Sequence, residues 1–148
     1  MTTKLLNDEV AGQVRDVFQG LQEPVEVLFF GAKENCVYCD DTRQLVEEIV
    51  ELSDLLGMQI YDLEENAETA RKYNVDKVPG LVLLGRDGEQ LLDYGIRYAG
   101  IPSGHEFSSL INDLVLVSGR DSGLDQETRQ ILAGLNEPVL LQVYVTPT

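Results

Sequence analysis

The chain reads as an α/β fold in the order β-α-β-α-β-β-α with one added helix in front, and three observations predict it. Apolar residues across 1–118 switch between helical spacing and short β-branched runs. The stretch Cys36-Val37-Tyr38-Cys39 falls between the first such run and a helical pattern, and Pro79 opens the third run. A shorter piece of the same pattern returns over residues 125–148.

Over residues 8–21, Val10, Val14, Val17, Phe18 and Leu21 fall at helical spacing, and Gly20 and Pro24 close the segment. Residues 25–30 are β-branched and aromatic and predict a buried strand ended by Gly31. After Cys39 the set Leu45, Val46, Ile49, Val50, Leu52, Leu55 and Leu56 repeats at three and four residues. This predicts a long helix from the cysteines to a C-terminal cap at Gly57. Residues 58–63 predict the next strand, and Asn66 caps a short helix through Tyr73. The apolar run 81–84, a turn over 85–88 and a partner strand over 89–94 predict an antiparallel hairpin. Ser103 and Glu106 have capping-box spacing, and Phe107, Leu110, Ile111, Leu114 and Val117 make one face of a final helix.

A chain of 148 residues suffices for one well-buried domain, or one domain plus part of another. Acidic residues outnumber basic ones by 26 to 11, and the formal net charge of -15 repels phosphate backbones and anionic lipid surfaces. Neither a nucleic-acid nor a membrane partner is expected. Met1-Thr2-Thr3-Lys4 leads into a polar amphipathic stretch rather than a signal core, and no apolar run approaches membrane-spanning length. A soluble, cytoplasmic protein is the expectation. In that reducing compartment a lone cysteine pair points to catalysis or metal binding before a static staple.

Cys36 and Cys39 are the only cysteines. Two intervening residues let their sulfurs meet within one helical turn, with Cys36 exposed at the N-cap and Cys39 facing inward. At such a terminus free backbone N–H groups favour a thiolate, so Cys36 is the expected nucleophile and Cys39 the resolving thiol. Half of a zinc site and an inert disulfide are the other readings, but structural zinc needs four ligands and His105 is the one further candidate. No metal or cofactor is expected, and His105 itself reads as a capping or surface residue. Glu34, Asp40 and Asp41 surround the pair against a single nearby cation, Lys33. Carboxylates oppose a thiolate, which predicts a modest lowering of the Cys36 pKa and a rather reducing site, while Asp40 and Asp41 also complement the helix dipole.

Residues 129–139 repeat residues 15–25 at a constant offset, matching at Arg, Gly, Leu, Glu, Pro and Val. In each copy an amphipathic helix precedes a strand, over 25–30 in the first and 139–145 in the second. The expected division is a complete unit over 1–118, a linker over 119–124, and the incomplete start of a second unit over 125–148. The counterpart of Cys36 would then fall one or two positions beyond Thr148. A helix and strand appended to a single domain is the alternative. A strand without its own sheet must find an edge, so 139–145 also offers pairing with the first unit or a homodimer.

With its Glu34-Asn35-Cys36-Val37-Tyr38-Cys39, its run 95–107 and its closing Val145-Thr146-Pro147-Thr148, the chain resembles the two-unit protein disulfide oxidoreductases. These are glutaredoxin-like proteins in which two thioredoxin folds are joined in tandem. The resemblance implies a thioredoxin-like fold and thiol–disulfide exchange with protein substrates, with a thioredoxin reductase as electron donor. Cys36 and Cys39 match the redox pair, and Pro79 matches the cis-proline facing it. The main chain of Val78 is then free to pair with an extended substrate segment, and Tyr38 shields the disulfide. Two rivals stand beside this reading: a redox-silent thioredoxin-like binding module, and the N-terminal electron-relay domain of a peroxiredoxin reductase system. In that related group the first unit has lost its cysteines, whereas this chain keeps them.

Overall fold

The computed structural model describes residues 3–146; Met1, Thr2, Pro147 and Thr148, at the two ends of the sequence patterns above, lie outside the described residues. Nine elements follow one another: α1 (Asp8–Phe18), β1 (Val25–Gly31), α2 (Cys39–Val50), β2 (Leu56–Asp62), α3 (Ala67–Lys72), β3 (Gly80–Asp87), β4 (Gln90–Ala99), α4 (His105–Gly119) and α5 (Gln126–Ala133). The first eight reproduce the expected helix followed by β-α-β-α-β-β-α.

The strands form one sheet in the order β2-β1-β3-β4. β1 pairs in parallel with β2 and antiparallel with β3, so all seven of its residues are buried. A strand covered on both faces needs apolar side chains in succession, and residues 25–30 supply them apart from Glu26. Odd positions Val25, Val27 and Phe29 join Leu81 and Leu83 beneath α1, α2 and α4, whose Val14, Phe18, Leu45, Ile49, Leu110 and Leu114 complete that core. Even positions Leu28 and Phe30 join Val82 and Leu84 under Ala70 of α3 and the adjoining Tyr73. Each large side chain so covered contributes about 1.5–3 kcal/mol relative to an exposed one.

Several boundaries differ from the expectation for identifiable reasons. α2 stops at Val50, because the backbone turns at Ser53 (Ser53 N–H to Val50 O, 3.3 Å) and the chain enters β2 at Leu56. Leu52 and Leu55 still pack against the core, which is why their spacing imitated another helical turn. Gly57 is no helix cap: it faces Glu26 in the parallel ladder, where an added Cβ would lie 2.5 Å from Glu26 Oε2. That carboxylate is buried and held by Arg86 Nε at 3.0 Å, so it leaves room only for glycine. β3 runs on through the expected turn to Asp87, and β4 extends five residues beyond the expected end at Tyr94. The extension is masked in sequence by a register shift opposite Leu83 and Leu84 that interrupts the alternation.

The N-cap of α4 is Gly104, one residue after the expected Ser103, and its own side chain offers no cap bond. The strand expected over 139–145 is absent too. This segment has no ladder partner and is exposed throughout. An isolated strand has nothing to satisfy its backbone or bury its side chains, and neither open sheet edge, β2 or β4, accepts it. Among the described residues no helix is long and apolar enough to cross a membrane.

One buried hydroxyl ties the entry of β1 to α4. Ser118 Oγ accepts from the amides of Gln22 (2.8 Å) and Glu23 (3.0 Å) and donates to Glu23 O (2.6 Å). Ser118→Ala removes all three bonds, each worth about 0.5–1.5 kcal/mol net. Urea unfolding is expected to show a loss of roughly 2–4 kcal/mol with an unchanged slope.

Candidate active site

β1 ends where the reactive loop begins. Gly31 packs so closely there that an added Cβ would meet the Phe29 ring at 2.8 Å and Cys39 Sγ at 3.6 Å. The chain then passes through Asn35, held at φ 58°, and enters α2. Cys36 and Cys39 are joined in a disulfide with their Cα atoms 5.5 Å apart.

The helix starts two residues later than the spacing suggested. Tyr38 is the N-cap and Cys39 the first helical residue, which leaves Cys36 two positions ahead of the cap. Cys39 is 5% exposed, and Cys36, expected to be exposed, is half-buried at the edge of the same core cluster. Asp40 and Asp41 occupy the first turn of α2 and Glu34 is exposed just before it. Val37 and Tyr38, the two residues between the cysteines, are 86% and 54% exposed.

Pro79 is placed by the sheet. The antiparallel register pairs Phe30 with Gly80, which sets buried Pro79 beside Gly31 at the end of β1. The Val78–Pro79 peptide bond is cis, and Val78 packs on the same core cluster as Cys36. Two contacts fix this loop to β4 and its exit. Gly100 N–H donates to Pro79 O at 2.8 Å, and Arg97 Nε donates to Tyr73 O at 2.7 Å. Arg97 is itself held by a two-pronged bond to Asp93 (2.9 and 2.7 Å), which keeps the Asp93 carboxyl below its ordinary range against the opposing effect of burial.

A cleft of about 390 Å³ is bounded by both cysteines, Arg43, Ile60, Asp62 and Glu65. Lys33 bridges its mouth to Glu65, and Asp62 accepts the amides of Glu64 (2.9 Å) and Glu65 (3.0 Å). These backbone bonds, Glu65's foremost, hold the Asp62 carboxyl below its usual value. His105 is exposed at the start of α4. Among the described residues no group of three or more His, Cys, Asp or Glu is placed to hold a metal.

Arg97, Gly31 and the buried Thr42 were not singled out as site residues by the sequence patterns. Arg97 and Gly31 act through contacts made across the sheet, and Thr42 looks in sequence like any polar residue of an amphipathic helix.

Residues 24–112 match the family model described as thioredoxin domain. The chain is 27% identical over 141 residues to the alkyl hydroperoxide reductase AhpF of Pseudomonas aeruginosa, covering 95% of this chain and 24% of that protein. It is similar to the crystal structure of a protein disulfide oxidoreductase from Aeropyrum pernix, with a TM-score of 0.76 and 27% identity over 87% of this chain and 55% of that one. A domain of alkylhydroperoxide reductase AhpF from Enterococcus faecalis shares the fold, with a TM-score of 0.75 at 24% identity over 86% of this chain and 60% of that one. The chain thus spans about a quarter of the length of the curated relatives it matches. It belongs to the thioredoxin domain family, and its Cys36–Cys39 disulfide lies where β1 gives way to α2.

Arg97→Met removes the tie at Tyr73 and is expected to accelerate amide exchange across residues 74–79 while leaving β1 protected. A carboxylate with a depressed folded pKa stabilises above its unfolded pKa and loses that effect as pH falls through the folded one. The wild-type advantage in melting temperature over Arg97→Met should therefore shrink on acidification below the ordinary aspartate range and stay flat above it.

Proposed function

We propose that this thioredoxin-family unit exchanges disulfides with protein substrates, with Cys36 as nucleophile and Cys39 as resolving thiol. The observation that carries the reading is the asymmetry of the pair: one sulfur half-exposed ahead of a helix N-terminus, the other buried in its first turn. In the reducing direction the Cys36 thiolate attacks a substrate disulfide and one substrate sulfur leaves as thiolate. Cys39 then attacks Cys36 Sγ, the Cys36–substrate bond breaks, and the second substrate sulfur departs as the Cys36–Cys39 bond forms. The reverse course oxidises a dithiol. Val37 and Tyr38 offer apolar contact, and the Val78 backbone beside Pro79 offers main-chain hydrogen bonds to an extended segment, a mode that tolerates many substrate sequences.

Electrons would come from a thioredoxin reductase or a similar flavoprotein, in the reducing cytoplasm. The similarity to the alkyl hydroperoxide reductase of Pseudomonas aeruginosa supports a second reading, a unit that relays electrons within a peroxide reductase system. Comparing peroxiredoxin disulfide with insulin as acceptor separates the two by rate. Cys36→Ser is expected to abolish insulin reduction by dithiothreitol, and Cys39→Ser to stall as a mixed disulfide visible by mass. Full activity in Cys36→Ser would sink the assignment.

We also propose that residues 125–148 open a second thioredoxin-like unit. The repeat of 15–25 at 129–139 supports this, as does the exposure of every large apolar residue from Ile131 to Val145, positions whose first-copy counterparts from Phe18 onward are buried. Deleting residues 125–148 should leave the melting temperature of the first unit unchanged. A marked drop would assign the segment to the first unit, and concentration-dependent dimerisation lost on deletion would assign it to a self-pairing interface.

A further inference from the structure

Among the described residues three polar or charged side chains are buried: Glu26, Ser118 and Thr42. Glu26 is held by Arg86 near the start of β1, and Ser118 is engaged with the loop before that strand. Thr42 is different. It is 0% exposed, its amide starts the helix by donating to Tyr38 O at 2.9 Å, and its Oγ1 has no hydrogen-bond partner among the described residues. Buried hydroxyls are nearly always bonded, because burial strips away their water without return.

The position gives the hydroxyl a use. Cys39, Thr42, Leu45, Val46 and Ile49 form the buried face of α2, and Thr42 follows Cys39 by three residues. Residues so spaced are neighbours on a helix, and helical side chains lean toward the N-terminus, which carries Thr42 toward Cys39. In the disulfide the sulfur is a weak acceptor. Once the bond opens, Cys39 becomes a buried thiol in an apolar cluster that disfavours its thiolate, the form needed for the resolving attack.

We propose that Thr42 is the hydrogen-bond donor to the Cys39 sulfur in the opened state. Resting on the exchange reading above, its hydroxyl stabilises the Cys39 thiolate formed when the thiol proton passes to solvent. That thiolate attacks Cys36 Sγ, the Cys36–Cys39 bond forms, the Cys36–substrate bond breaks, and the departing substrate thiolate takes up a proton. The hydroxyl left without a partner in the oxidised form is the counterpart of one bonded in the mixed disulfide.

The test is acid-quenched single turnover of the reduced full chain with a labelled peptide disulfide. Thr42→Val keeps the shape and removes the donor; Thr42→Ser keeps the donor. With valine the mixed disulfide should persist about tenfold longer, equivalent to about 1.4 kcal/mol, while its formation through Cys36 stays within about twofold of wild type. Serine should restore resolution. In a Cys36→Ser background the Cys39 thiolate should titrate at higher pH with valine than with threonine. Oxidised Thr42→Val should melt no lower than wild type, since it loses an unpartnered hydroxyl. An unchanged mixed-disulfide lifetime overturns the proposal, and so does slow resolution accompanied by a lower melting temperature that serine fails to rescue. A wild-type chain that forms no mixed disulfide would instead defeat the exchange reading and this one with it.

Discussion

The structure depends on one strand buried on both faces. β1 supplies the odd-numbered core beneath α1, α2 and α4 and the even-numbered core beneath α3, and it carries the ladders to β2 and β3. Because both faces are covered, its direction and register are set by many side chains at once, and a slip of one residue would exchange the two cores. That rigidity reaches the site at Gly31. The strand stops where no Cβ fits, so the cysteine loop leaves from a fixed point and Cys39 is pressed against the strand end.

The second half of the site is positioned by polar ties. The loop between α3 and β3 has its Tyr73 and Pro79 carbonyls bound by Arg97 and by Gly100 N–H. β4 therefore does more than close the sheet: it holds the proline beside the end of β1. The irregularity that lets β4 bend opposite Leu83 and Leu84 leaves the Asp93–Arg97 pair on the same strand, four residues apart and in bonding contact.

Legibility in the sequence followed how local the determining contacts are. The strand 25–30, the amphipathic faces of α1 and α4 and the cysteine pair depend on neighbours in the chain or on simple burial, and all were readable. The end of α2 was not, because Leu52 and Leu55 meet the core from a turn at the same spacing a helix would use. Gly57 carried a helix-end signal in sequence but answers to Glu26, on the strand next door. Pro79 was legible as a strand opener and by resemblance, whereas its place beside Gly31 comes from the β1–β3 register. Thr42 illustrates the limit: no spacing rule marks a hydroxyl whose meaning lies in having no partner.

The two repeat copies sharpen the same point. Residues 25–30 are a buried strand, while 139–144, their counterparts in the repeat, are exposed chain with no ladder. Strand formation here is decided by the availability of neighbours, since β-propensity measures fit to an already pleated and half-buried surface. The first copy has β2 and β3 on its two sides. Helix formation needs no such help, and so the helix survives in both copies: Asn7 and Asp125 cap α1 and α5 through the same side-chain bond, to the amides of Val10 and Thr128. A mostly apolar run such as 139–145 is costly to leave in water and prone to edge pairing, which is the physical ground of the proposal that it belongs to a second unit.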